Sequence, residues 1–107
     1  MKKMKNLSKM KSFSGKRVIV RGNYSGVFFG YLVSRENSEA HLRECRRIWC
    51  WDGAASISQL ATEGTKKPDG CKFTVAVEDI IITDIIEIIP CTDEAVKNLE
   101  GVPEWKI

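Results

Sequence analysis

The stretch DIIITDIIEIIP, residues 79–90, decides how this chain folds. By apolar spacing alone, Ile80 to Ile89 fits a buried helix or buried strands equally well, because a nearly continuous apolar run has no diagnostic period. Its isoleucines are β-branched, which favours extended backbone, and the polar pair Thr83-Asp84 breaks the run in the middle. The reading is therefore a strand, a tight bend and a second strand, stopped by Pro90.

On the N-terminal side, Lys72 to Glu78 alternates as a strand, with Phe73, Val75 and Val77 on one face. Lys66-Lys67-Pro68-Asp69-Gly70 is a loop. Ser56-Ile57-Ser58-Gln59 has the form of a capping box and predicts a short helix over 56–63 that ends at Gly64. On the C-terminal side, Thr92 caps a helix over 92–99, with Asp93 and Glu94 in the first turn where acids suit the helix dipole. Gly101-Val102-Pro103 stops it.

Further upstream, Lys16 to Arg21 alternates as a strand with one solvated face. Gly22-Asn23-Tyr24-Ser25-Gly26 is a turn rich in residues that take positive φ. Strands over 27–35 and 40–51 follow, joined by a polar hairpin at Glu36 to Glu39. The order predicts an α+β, mainly β, fold: an antiparallel meander with two short helices, in one domain over 16–107. Residues 1–15 form a basic leader or a short helix, with Met4, Leu7, Met10 and Phe13 three apart.

Composition narrows the function. At 107 residues, with 43% hydrophobic and 29% charged residues, the chain holds one modest core. The net charge of +3 is uneven: residues 1–16 hold six lysines and no acid, leaving 11 basic and 14 acidic residues beyond them, a balance of −3. A slightly acidic domain argues against a nucleic-acid-coating protein. No apolar run approaches the roughly 20 residues of a membrane span, and no export signal is expected. The four cysteines, Cys45, Cys50, Cys71 and Cys91, form no CxxC pair, so reduced, mostly buried thiols are expected rather than a zinc site.

RECRRIWCWDGAAS, residues 43–56, is where the chain departs from ordinary core sequence. In an extended strand Cys45, Arg47, Trp49 and Trp51 share one face, and Glu44, Arg46, Ile48 and Cys50 the other. Guanidinium groups clamp phosphates and indoles stack on bases, so the pattern suits nucleotide recognition, although a tryptophan pair on a strand more often serves as core or interface packing. The backbone before the Ser56 helix, over Gly53 and Ala54, is a further phosphate candidate. No carboxylate pair, nucleophile elbow or histidine partner gives a catalytic set, and His41 stands alone; a non-enzymatic binder is expected, with no cofactor.

The segments RRIWCWDGAASISQLATEG (46–64) and CKFTVAVEDIIITDIIEIIPCTDEA (71–95) resemble the first type of anti-Thoeris proteins, a family of small phage-encoded proteins. The resemblance spans roughly residues 16–100. It implies a β-sheet with helices, a homo-oligomer, and sequestration without cleavage of a cyclic ADP-ribose-type immune signal in the cytoplasm of an infected bacterium. Such a ligand offers an adenine to stack on and a pyrophosphate to neutralise, and Arg21, Tyr24, Arg46, Arg47, Trp49, Trp51 and Phe73 carry the matching groups. Arg46 is expected to be the freer of the adjacent arginines if the tryptophan face is core. The competing readings are a protein-directed inhibitor of a host nuclease or other immune effector and, less favoured, a single-stranded nucleic-acid module.

Overall fold

Thr83 and Asp84, the two residues that interrupt the isoleucine run, join strands lying on opposite flanks of one sheet. The computed structural model describes residues 13–107 and contains β1 (Arg17–Gly22), β2 (Val27–Glu36), β3 (Glu39–Cys50), α1 (Ile57–Glu63), a 3-10 turn (Pro68–Gly70), β4 (Lys72–Phe73), β5 (Val77–Ile82), β6 (Ile85–Pro90) and α2 (Asp93–Glu100). All strand pairs are antiparallel: β1 to β2, β2 to β3, and β1 to β6, while β3 pairs with β4 and β5 along one edge. In a flat sheet four strand spacings would part β5 from β6, about 19 Å. The link from Ile82 to Ile85 reaches only about 11 Å. The sheet therefore curls, and the Ile85 N–H donating to Ser38 O at 2.9 Å shows the β2–β3 turn folding over to meet it.

Curling gives the sheet two cores. Val18, Val20, Phe28, Leu32, Ala40, Leu42, Cys45 and Ile82 pack together from strands alone. Ile19, Phe29, Ile48 and Phe73 pack beneath Leu60 and Ala61 of α1 and Leu99 of α2. The expected solvated face of β1 is thus corrected: Val18, Ile19 and Val20 are all buried, because helices cover the side the alternation pattern left to water. Glu44, at φ 47°, lets Leu42 and Cys45 enter the same core although they are three apart. Gly30 faces this region, where an added Cβ would lie 3.0 Å from Arg43 O.

The predicted strand over 72–78 is also corrected. It breaks after Phe73, because β3 changes partner here from β4 to β5. Thr74 serves as the hinge, its Oγ1 accepting from Arg47 N–H at 3.0 Å and its carbonyl from Arg46 Nε at 2.9 Å. Of the three residues expected on one face, Phe73 alone is buried; Val75 and Val77 are exposed.

Both helices are capped as read. Ser56 Oγ accepts from Gln59 N–H at 3.2 Å and Thr92 Oγ1 from Ala95 N–H at 3.1 Å. Asn98 ties α2 to the loop after α1, accepting from Thr65 N–H at 2.7 Å and donating to Thr65 O at 2.8 Å. No described helix is long and apolar enough to cross a membrane. The leader helix expected at the N-terminus falls largely on residues 1–12, outside the described residues.

Candidate functional site

The turn between β1 and β2 is organised from both ends. Gly22 N–H donates to Gly26 O at 2.8 Å, with Gly26 at φ 110°, a conformation that suits glycine. From the β5–β6 link, Asp84 Oδ2 accepts Tyr24 N–H at 2.7 Å and Ser25 N–H at 2.9 Å, its Oδ1 accepts the Ser25 hydroxyl, and its carbonyl accepts Asn23 N–H at 2.8 Å. The Ser25 hydroxyl and then the Tyr24 amide hold this carboxyl below the usual carboxylate range. Gly22 leaves room for the arrangement: a Cβ there would lie 1.9 Å from Ser25 Oγ.

Arg47 joins the turn from β3. Its guanidinium lies over the Phe28 ring, 4.5 Å from the centroid, and donates to Ser25 O at 2.6 Å. Among the described residues this is its single side-chain hydrogen bond, so most of its five N–H donors remain for an anion. Tyr24, 92% exposed, stands between two open hollows. One, of about 330 Å³, is lined by Tyr24, Arg47, Phe28 and Asp84; the other, of about 310 Å³, by Arg21, Tyr24 and Ile86. Arg21 Nε pairs with Glu87 at 3.1 Å.

Three of the seven residues singled out from the sequence, Arg21, Tyr24 and Arg47, therefore meet at one turn. The other four lie elsewhere. Arg46 is 8% exposed and donates to four carbonyls: Thr74 O at 2.9 Å, Val102 O at 2.9 Å, Pro103 O at 3.1 Å and Phe73 O at 3.2 Å. Burial lowers its pKa, opposed by the charge of Glu104. The expectation that Arg46 is the freer arginine is thus reversed, because its face of β3 is the one covered by the C-terminal tail. Phe73, fully buried under that guanidinium, has no ring face open to a base.

Trp51 leaves the face it was expected to share with Arg47. The strand ends at Cys50, and Trp51 packs on the helix-side core, donating from Nε1 to Ala54 O at 3.2 Å. Trp49, 63% exposed, stacks on Trp105 with ring centroids 5.9 Å apart, and the Lys72 ammonium lies 5.2 Å from the Trp105 centroid. Three amides at the start of α1 already have partners within the chain. Gly53 N–H donates to Asp52 Oδ1 at 2.8 Å, Ala55 N–H to Gln59 Oε1 at 2.7 Å, and Gln59 N–H to Ser56 Oγ.

Sequence reading missed Asp84 and Trp105. Asp84 read as a chain break, and nothing in its spacing links it to a turn 59 residues away.

These features define a small α+β protein on a curled antiparallel sheet, with an arginine beside a carboxylate-braced surface turn. Residues 15–99 match the family described as "Domain of unknown function (DUF6948)", and the chain belongs to it. In fold it is similar to a solved structure titled "The crystal structure of a heptameric archaeal Sm protein: implications for the eukaryotic snRNP core", with a TM-score of 0.50 and 16% identity over 79% of this chain and 98% of that one. At that identity the likeness concerns fold alone. No curated protein matches the sequence significantly.

Proposed function

We propose that the protein binds and sequesters a cyclic nucleotide immune signal, a cyclic ADP-ribose isomer, without cleaving it, as a phage anti-defence protein in the cytoplasm of the infected bacterium. The observation that carries this reading is the meeting of Arg47 and Tyr24 across one hollow beside the braced turn. A guanidinium with uncommitted donors suits a pyrophosphate, and an exposed phenol ring offers a stacking face for a base. The hollows on either side of Tyr24 each lie near the lower end of the roughly 300–1,000 Å³ range of ligand sites. The sequence resemblance to anti-Thoeris proteins supplies the ligand class.

Assembly from several copies belongs to the same proposal. Among the described residues β5 and β6 each pair on one side only, and Ile81 and Ile86 on them are 64% and 51% exposed. Open strand edges with exposed isoleucines favour pairing with another copy. The Sm protein of similar fold is heptameric. Light scattering at micromolar concentration should give a mass above one chain.

The decisive experiment incubates the protein with cyclic ADP-ribose isomers, removes free nucleotide by gel filtration and heats the complex. Intact ligand in the supernatant is the expected result. Recovery of a cleaved product would identify an enzyme, and recovery of nothing would reject the reading.

A second reading, inhibition of a host nuclease or other immune effector by direct contact, is favoured by the exposed Trp49–Trp105 stack. Exposed tryptophans are common anchors of protein interfaces. Its mark would be inhibition of an effector that Trp49→Ala abolishes while Arg47→Ala leaves intact.

A further inference from the structure

We infer that Asp84 is the positioning residue of this site, fixing the Gly22–Gly26 turn so that Tyr24 and Arg47 stay on one hollow. Two backbone amides and one hydroxyl of the turn converge on its carboxylate, and the residue that forms the turn's entrance, Gly22, is packed against it. Arg47 holds the opposite side of the same turn through Ser25 O, so Ser25 is gripped between an acid and a base. Ser25 and Tyr24 are otherwise part of a surface loop containing two glycines, which on its own would sample many conformations. Ordering them before the ligand arrives removes an entropic cost from binding.

A carboxylate is an unexpected neighbour for a phosphate, and among the described residues lining this hollow it is the only acid. Among the described residues, the charged or titratable groups facing it are Arg47 from β3 and Tyr24 from the turn; β2 and β5 present Phe28 and the isoleucines Ile80 to Ile82. Two effects of its charge therefore oppose each other. As a brace it strengthens binding of an anionic ligand, and as a bare charge it would weaken it. With three donors turned toward it, the brace is the effect that should win.

The consequence for binding rests on the sequestration proposed above, whereas the bracing itself is measurable without ligand. In the ligand-free protein, the Tyr24 and Ser25 amides should be protected from hydrogen exchange, and their NMR shifts should follow the titration of one carboxyl whose pKa lies below the ordinary carboxylate value. Asp84→Ala should abolish both signatures while leaving the Ile19 and Phe29 amides protected. Asp84→Asn, which keeps an acceptor oxygen, should keep partial protection and lose the titration.

With cyclic ADP-ribose as probe, Asp84→Ala should bind about tenfold or more weakly than the wild type. Wild-type affinity should fall as pH drops through the depressed carboxyl range, and that of Asp84→Asn should change less. Unchanged amide protection in folded Asp84→Ala, or nucleotide binding as tight as or tighter than wild type, overturns the role. If the wild type fails to bind the nucleotide, only the sequestration reading fails, and the amides still decide the brace. If Asp84→Ala does not fold, the wild-type amide titration decides it: shifts that ignore a depressed carboxyl overturn the role.

Discussion

Arg46 and Arg47 are consecutive, yet their guanidinium groups lie over different rings in different cores, Arg46 5.2 Å from the Phe73 centroid and Arg47 4.5 Å from that of Phe28. Extended backbone imposes this, since neighbouring side chains point to opposite faces of a sheet. What differs is the cover. The tail at Val102 and Pro103 closes over Arg46, whereas the Arg47 guanidinium, resting on Phe28, is hydrogen-bonded among the described residues only to Ser25 O of a surface turn.

The pair should therefore separate cleanly on mutation. Arg46→Ala strands carbonyls at the junction of β4 and the tail, at roughly 1–3 kcal/mol for each group left without a partner. A total loss on the order of 3 kcal/mol, or about 10–20 °C in Tm, is expected because water will reach some of them. Arg47→Ala should melt within a few degrees of wild type but bind cyclic ADP-ribose about 10- to 150-fold more weakly. Calorimetric melting and nucleotide titration of both variants check this.

Acid should act through Asp79. This carboxylate meets His41 Nε2 at 2.7 Å and the cross-strand Arg43 Nε at 3.0 Å, contacts that hold its pKa below the ordinary value, His41 first and Arg43 second. A pKa lower in the folded than in the unfolded chain contributes stability that is present above the unfolded value and lost as pH falls through the folded one. Asp79→Asn should thus be less stable than wild type at neutral pH, and the gap should close in strong acid. Asp79 and Arg43 are both well exposed, so the effect is small and should shrink further in high salt. Urea midpoints across the acid range measure it.

Thiol chemistry should be confined to one position. Cys45 sits in the strand core, where burial pushes its thiol up to about 12, and burial pushes Cys91 up to about 11. At pH 8 a thiol of pKa about 12 is ionised in about one molecule in ten thousand, and the thiolate is the reactive form. Cys50 is exposed at the end of β3. A disulfide reagent should label Cys50 rapidly in the folded protein and reach the buried Cys45 and Cys71 and the half-buried Cys91 only on denaturation, as peptide mass mapping would show.

Much of the fold was legible because its signals are local. Ser56, Gly64 and Thr92 bound their helices as read, and Thr83-Asp84 splits the isoleucine run as expected. The break after Phe73 was not legible, since it depends on which strand β3 meets next. Nor was the cover over Arg46, because Val102 and Pro103 lie 56 and 57 residues away in the chain. For the site, residue type was the better guide and strand parity the poorer: parity set Arg46 and Arg47 on opposite faces, but not which face stays open. Trp51 escaped the parity argument by lying one residue beyond the strand.

The small residues after Trp51 have a structural use that can be tested. Gly53 has φ 80°, and an added Cβ would lie 2.5 Å from Lys67 N and 2.6 Å from Thr65 Oγ1. Its carbonyl accepts Lys66 N–H at 3.1 Å, and the Thr65 hydroxyl donates to the neighbouring Asp52 O. The loop at residues 65–67 is thus laid directly against this glycine, which explains the drop to small side chains without a phosphate. Left-handed backbone costs a non-glycine residue about 1–2 kcal/mol, and the contact with rigid backbone adds to it. Gly53→Ala should therefore lose on the order of 2–4 kcal/mol, whereas Ala54→Gly, two residues before the α1 cap and outside any helix, should lose far less. If the glycine serves packing alone, Gly53→Ala held below its melting temperature should bind cyclic ADP-ribose as tightly as wild type. A loss of binding matching that of Arg47→Ala would instead return the phosphate to this loop.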